Sequence, residues 1–309
     1  MKNILIIYYS QSGQLTEIVK KFAKPFEDAD NYKVDFANIQ PVNDYPFPWT
    51  GYKFFDAFPE SVEHIPCEIK PLELDNEDYD LIVFAYSVWY MAPCIPCNSF
   101  LLSDQAKRIF KGKSVITLLG VRNMWIVAQE YVKEKIIECG GSLVGNIVLR
   151  DRAENLTGIV TISYFLFTGK KGRFAWFFPK AAISQKDIDG VVKYGEITKK
   201  YFDINDFTKL QLELVSEKAV RVKPYLVSTE KTAYFRMFLL WSSFMKKKGG
   251  PGNPARKVRV RIFAFYFPFA ILVIAPIKYI FFLIFAPFRL KKIKREIEYY
   301  SGTQLKSNI

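Results

Sequence analysis

The chain has 309 residues, half of them hydrophobic and 28 of them Phe, enough to build one large core or two modest ones. A single His excludes a multi-histidine metal site, and the four cysteines (67, 94, 97 and 139) lack zinc-ribbon spacing, so no metal centre is expected. The net charge of +13 is unevenly spread: residues 1–200 hold 24 basic and 24 acidic residues, whereas residues 201–309 hold 20 basic and 7 acidic ones.

The opening MKNILIIYYSQSGQLT reads as strand, loop and helix start. Ile4 to Tyr9 is an apolar run rich in β-branched and aromatic residues, and Ile18, Val19, Phe22 and Ala23 then fall on one helical face. No secretion signal is expected before such a strand, and the cysteines then point to a reducing compartment. The loop between, Ser10-Gln11-Ser12-Gly13-Gln14-Leu15-Thr16, contains no basic residue. It can still hold a phosphate, because helix-start N–H groups, the helix dipole and Ser or Thr hydroxyls all favour an anion. Gly13 permits a positive φ or a close backbone approach. The plain alternative is an ordinary capped turn.

A second strand is expected at Tyr32 to Phe36, followed by an aromatic excursion, Tyr45 to Phe58. Leu81 to Ala85 is wholly apolar, as suits a strand covered on both faces of a parallel sheet, and ends in the loop Ser87 to Pro93. Ser114 to Leu119 repeats the pattern, with a loop from Gly120 to Trp125 and a helix to about Cys139; Leu143 to Leu149 reads as a further strand. Alternating strands and helices predict a doubly wound parallel sheet, whose ligands sit beyond the carboxyl ends of the strands. All three loops lie at that edge. Residues 147–183 form an aromatic-rich insertion, after which a last helix is expected from Ser184, with a box-like cap at Asp187, to about Tyr201. The excursion and the insertion are read either as packing on the core or as a greasy channel, since loops beyond about 12–15 residues are usually functional or disordered.

Beyond residue 205 the chain is basic and apolar. Lys231 to Arg295 contains 15 basic residues and no acidic one. Tyr234 to Met245 reads as an apolar helix followed by three Lys, and residues 249–254 as a hinge. Ile262 to Phe288 is long enough to cross a bilayer, which takes about 20 apolar residues, but Pro268, Pro276 and Pro287 interrupt it and both flanks are basic. A shallow re-entrant hairpin or an interfacial pair of helices is expected, with the flanking Lys and Arg, Arg256 among them, on anionic headgroups; a single span and a buried core hairpin are the alternatives. The basic residues flank an apolar block rather than line a polar groove, so nucleic acid is not an expected partner.

The arrangement of residues 1–205 resembles the flavodoxin-like family, whose members bind FMN. The resemblance implies that Ser10, Gln11, Ser12, Gly13, Gln14, Leu15 and Thr16 hold the FMN phosphate. It implies that Ser87, Val88, Trp89 and Tyr90 flank the flavin ring, and that Gly120, Val121, Arg122 and Asn123 close over its edge. One departure is Leu15, where many members carry a hydroxyl residue; here the hydroxyl comes at Thr16. A narrower resemblance extends over nearly the whole chain. IIYYSQSGQLTE, PFPW with FFDAFPES, WY-x-APC, LRDRAxNL and the greasy tail are similar to the flavodoxin-like aromatases of dialkylresorcinol and flexirubin biosynthesis.

That family implies an FMN-dependent oxidation of a 2,5-dialkylcyclohexane-1,3-dione, supplied by a ketosynthase-like partner; the basic flanks of residues 262–288 assign the chain to the cytoplasmic side of the plasma membrane. A cation near the enolate oxygen would be the largest protein contribution. Arg122, Arg150 and Arg152 are the candidates, with Tyr90 as a further donor. Another membrane flavin oxidoreductase, acting on quinones or porphyrinogens, and a non-enzymatic electron carrier remain as alternatives. Cys94 and Cys97 form a C-x-x-C pair that is read either as a redox relay or as small residues packed under the second loop. His64, the lone His, lies away from the expected strand ends and is read as structural.

Overall fold

The computed structural model describes every residue except 77, 152–154, 177–179, 230–234 and 306–309. Its centre is a parallel sheet built from β1 (Lys2–Tyr8), β2 (Tyr32–Asn38), β3 (Leu81–Trp89), β5 (Ser114–Val121) and β6 (Ser142–Arg150), in the order β2-β1-β3-β5-β6. A two-residue strand, β4 (Ala92–Pro93), pairs back on β3. Side chains alternate across the strands, so Ile4 and Ile6 enter one buried cluster while Leu5 and Ile7 enter the other. Both faces are therefore covered at the centre of the sheet, which is why β1 and β3 are largely apolar.

Helix α1 (Gln14–Glu27) packs its apolar stripe, Ile18, Val19, Phe22 and Phe26, fully buried on one face of the sheet. Each such side chain stabilises the fold by roughly 1.5–3 kcal/mol. After β2 come two short helices, α2 (Gly51–Asp56) and α3 (Phe58–Val62), which make up the aromatic excursion. Then follow α4 (Ile95–Leu101), α5 (Asp104–Phe110) and α6 (Ile126–Glu138). The insertion after β6 contains a helix, α7 (Asn155–Thr168), where only an irregular stretch was foreseen. The expected last helix is two: α8 (Gln185–Asp189), capped by Ser184, and α9 (Val192–Asp203), separated at Gly190. Gly195 lets α9 lie directly against α1; a Cβ there would fall 2.2 Å from the Phe22 carbonyl oxygen. The sheet order and the helices on both faces are those of the flavodoxin-like fold.

Two of the expected strands run further than their apolar stretches. β3 continues through Ser87, Val88 and Trp89, because its far end is paired with β4 rather than released into a loop. The reversal is a two-residue turn at Tyr90 and Met91, both with positive φ (49° and 68°) although neither is glycine. β5 likewise carries Gly120 and Val121, paired to Leu149 and Arg150.

Past residue 205 the chain stays on the same body. In α10 (Leu210–Ser216), Leu210 and Leu214 are fully buried beneath the sheet. Helices α11 (Pro224–Thr229) and α12 (Phe235–Lys246) follow. From Pro254 to Ser301 the backbone is one continuous helical run of 48 residues. It comprises a 3₁₀ turn (Pro254–Arg256), α13 (Lys257–Phe269), a π turn (Ala270–Ile274), α14 (Ala275–Phe285), a second 3₁₀ turn (Ala286–Arg289) and α15 (Leu290–Ser301). The hairpin expected for residues 262–288 is not formed. The three prolines are absorbed because Pro268 precedes the π turn, Pro276 sits in the first turn of α14 and Pro287 lies in a 3₁₀ turn.

Both ends of this run are docked on the α/β body. At the first end the Arg256 guanidinium, fully buried, bonds the carboxylates of Asp56 (2.6 Å) and Glu60 (2.8 and 3.1 Å). It is thus an internal clamp rather than a headgroup ligand. At the other end Tyr300 is buried, Tyr299 donates to Glu130, and the Ser301 carbonyl accepts from Gln211 at 2.6 Å.

Candidate functional site

A cavity of about 950 Å³ opens at the carboxyl edge of the sheet. Its first wall is the loop after β1. Ser10 accepts a hydrogen bond from the Thr16 amide at 3.1 Å, and Gly13, at φ 79°, caps α1 with open space around its α-carbon. Ser10, Gln11, Ser12, Gln14 and Leu15 line the cavity; Gly13 and Thr16 stand behind it and shape the turn. Two of the lining residues are already committed to the scaffold. The Gln14 amide exchanges hydrogen bonds with the backbone of Ile183 (3.1 and 3.4 Å), and the Gln11 amide donates to the Pro46 carbonyl at 2.9 Å. The hydroxyls of Ser10 and Ser12, together with the first-turn amides of α1, make a wall suited to an anion.

The second wall is the end of β3. Ser87, Val88, Trp89 and Tyr90 all line the cavity. Trp89 is held edge-on by Trp49 (5.3 Å between centroids), Tyr45 (5.1 Å) and Tyr9 (6.2 Å). Burial pushes the Tyr9 and Tyr45 hydroxyls up, so both are neutral donors. The Tyr90 hydroxyl, expected to reach a ligand, instead donates to the Phe54 carbonyl at 2.8 Å. Burial also raises it far above the ordinary phenol range.

The third wall is the end of β5, where Gly120, Val121, Arg122 and Asn123 line the cavity together with Asp151, just past β6. Gly120 lies close to α1, where an added Cβ would fall 3.3 Å from Leu15 and 3.4 Å from Ile18. Burial lowers the Arg122 guanidinium to about 10, while the neighbouring Asp151 carboxylate raises it, so it is charged at neutral pH. Arg150 ends β6 but does not line the cavity, and Arg152 lies outside the described residues. Asp151 was missed from sequence, where a lone Asp after a strand carries no signal.

The rest of the lining is apolar and comes from four separate parts of the chain. The excursion gives Phe47, Trp49, Phe54 and Phe55; α7 gives Ile162, Phe165, Leu166 and Phe167; α11 and α12 give Tyr225, Met237 and Phe238. The long helix gives Tyr266, Phe267, Ile271 and Tyr279. Excursion and insertion are joined by Trp49 N–H donating to the Leu166 carbonyl (2.8 Å) and by the Phe47–Phe165 ring pair (5.1 Å). Phe58, Phe238 and Phe263 close the end nearest the clamp, with Phe58 4.1 Å from Phe263.

The opposite side of the long helix is bare. Ile262, Phe265, Phe269, Leu272, Ile277, Ile280, Ile284 and Phe288 are exposed, with Phe265 at 83% and Phe288 at 85%. Among the described residues it is the one helix long and apolar enough to cross a membrane, and it is scarcely buried. His64 is remote from the cavity. It stacks on Tyr131 at 3.8 Å, and burial, helped by Lys135, lowers its imidazole to about 4.

A parallel sheet of this order with helices on both faces is the flavodoxin-like fold, and here it carries a three-walled cavity at its carboxyl edge. Residues 3–131 match the family model described as Flavodoxin. Among solved structures, a flavoprotein in complex with FMN from Lactobacillus acidophilus NCFM is similar at 23% identity, covering 49% of this chain and 94% of that one, with a TM-score of 0.39. Flavodoxin 1 from Bacillus cereus, in its oxidised form, is 13% identical over 63% of this chain and 95% of that one (TM-score 0.36). Fusobacterium nucleatum flavodoxin bound to flavin mononucleotide is 14% identical over 65% and 99% (TM-score 0.31). No curated protein matches the chain.

Proposed function

We propose that the protein is an FMN-dependent oxidoreductase that aromatises a 2,5-dialkylcyclohexane-1,3-dione to a dialkylresorcinol at a membrane surface. The observation that carries this reading is that a polar, sheet-edge pocket and a large apolar chamber are one continuous cavity. A pure electron carrier has no use for such a chamber; an enzyme acting on a greasy molecule does. The polar end fits FMN. Ser10, Ser12 and the first-turn amides of α1 suit its phosphate, Trp89 offers a ring face beside it, and the Gly120–Asn123 strand end closes the edge. Bound there, FMN supplies the two-electron acceptor that dione desaturation requires.

The chain's own residues then do the rest. The apolar lining holds the alkyl chains and excludes water. Arg122 stabilises the enolate that a 1,3-dione forms readily, and Asp151 keeps the guanidinium in place. The bare face of the long helix and the basic residues around it seat the protein on anionic lipid, with the chamber's apolar wall on the same helix. A ketosynthase-like enzyme would supply the dione.

The test is to mix the purified yellow protein, without air, with a synthetic 2,5-dialkylcyclohexane-1,3-dione. Bleaching of the flavin with formation of the resorcinol supports the assignment. Absence of bleaching with the dione but rapid bleaching with NADH or NADPH overturns it in favour of a reductase. Sedimentation with anionic but not neutral vesicles tests the membrane role separately.

A further inference from the structure

Directly behind the sheet-edge pocket lie two thiols that the proposed reaction does not use. Cys94 and Cys97 are both fully buried. Cys94 immediately precedes α4 and Cys97 sits in its first turn, the C-x-x-C placement that brings two sulfurs together. Three residues apart at the start of one helix, they belong to one buried cluster. They abut two residues of the cavity wall. The Cys94 amide donates to the Ser87 carbonyl at 2.9 Å, and Tyr9 shares one buried cluster with Cys94 and Cys97. The Cys97 thiol also reaches the Ala85 carbonyl at 3.8 Å, so the pair sits against β3 and not on the outer surface.

We propose that Cys94 and Cys97 are a dithiol–disulfide couple that exchanges two electrons with the flavin across the Ser87–Tyr9 wall. This rests on the FMN assignment above. In the oxidative direction each thiol loses a proton, the pair loses two electrons and one S–S bond forms. The two electrons and two protons would pass by way of bound FMN to dioxygen, which would leave as hydrogen peroxide. The environment separates the two sulfurs as such exchange requires. Burial alone would raise Cys94, but bonds from the Cys97 thiol and amide and from Ser87 outweigh it and bring Cys94 down. Burial and the Cys94 contact push Cys97 up. Packing alone would be served by Ala or Ser and gives no reason for two buried thiols in one helical turn beside a redox pocket. Cys67, bonded to Ser99, is the nearest other thiol and is the control.

The test uses the full chain loaded with FMN. After air equilibration it is denatured in iodoacetamide, and labelled thiols are counted and mapped. Two labels, on Cys67 and Cys139, with a Cys94–Cys97 linked peptide lighter by two hydrogens, are expected; prior reduction should give four. An anaerobic dithionite titration should take twice as much reductant per flavin for the wild type as for Cys97→Ser. Four labels before reduction, a linkage to Cys67, or equal titrations would overturn the couple. The thiol count needs no variant, so a misfolded Cys97→Ser does not blunt it. Failure to take up FMN, read from absorbance, sinks the flavin assignment and the couple together. FMN uptake with four free thiols sinks the couple alone.

Discussion

The two halves of the cavity are built on different principles. The polar half is made by strand ends of one sheet, so its walls are fixed by backbone pairing between neighbours such as Gly120 and Leu149. The apolar half is assembled from side chains of the excursion, α7, α11, α12 and the long helix, which meet only through tertiary packing. One ionic cluster, Arg256 with Asp56 and Glu60, ties the long helix to the excursion within that second assembly. The halves should therefore fail separately.

The largest effect is expected from Arg256→Ala. It leaves two buried carboxylates without their cation, a loss of about 3–5 kcal/mol. Urea unfolding should show it, and protease should cut residues 249–254 faster while FMN remains bound. Simultaneous loss of FMN would mean that the halves are not independent. The mirror experiment is Gly195→Ala, whose new methyl meets the Phe22 carbonyl and forces α1 aside. A cost of about 1–3 kcal/mol is expected, with weaker FMN binding and unchanged cutting at 249–254. Ser10→Ala removes only the hydroxyl that accepts from the Thr16 amide. About 1 kcal/mol, or roughly a fivefold rise in the FMN dissociation constant, should follow by fluorescence titration.

The smallest effect lies outside both halves. His64 titrates near 4 in the folded chain against 6.5 ordinarily, so the unfolded chain binds the proton first. Its contribution is complete above pH 6.5 and is lost as pH falls towards 4. The expected loss is on the order of 1 kcal/mol once solvent around the half-buried ring is allowed for. His64→Asn, which tolerates the left-handed backbone at φ 54°, should flatten that part of the urea midpoint–pH curve without altering FMN affinity.

The same division explains what could be read from the sequence. Apolar runs at 4–9, 81–85, 114–119 and 143–149 marked four of the five long strands, and Tyr32 to Phe36 the other, because a strand buried on both faces has little freedom in composition. Their ends were less legible. Ser87 to Trp89 stay extended only because Ala92 and Pro93 fold back on them, a pairing no local propensity encodes. The split of the last helix at Gly190 and the helix within residues 155–168 depend on packing in the same way. The tail was misread as a hairpin because prolines normally break helices; here a π turn and 3₁₀ turns accommodate them. Arg256 looked like one more surface cation, since its partners lie about 200 residues earlier.

Tyr90 and Met91 carry a consequence for Trp89. Two consecutive left-handed residues that are not glycine cost about 1–2 kcal/mol each, a tension the surroundings must hold. Phe58 and Phe267, with the Phe54 carbonyl, grip Tyr90, and Met91 is enclosed with Phe238. The indole beside the sheet edge is thus kept in position by residues that arrive some 150 to 180 positions later in the chain. Removing α12 and α13 would unload that spring, and the intrinsic fluorescence of the remaining tryptophans would report the recoil.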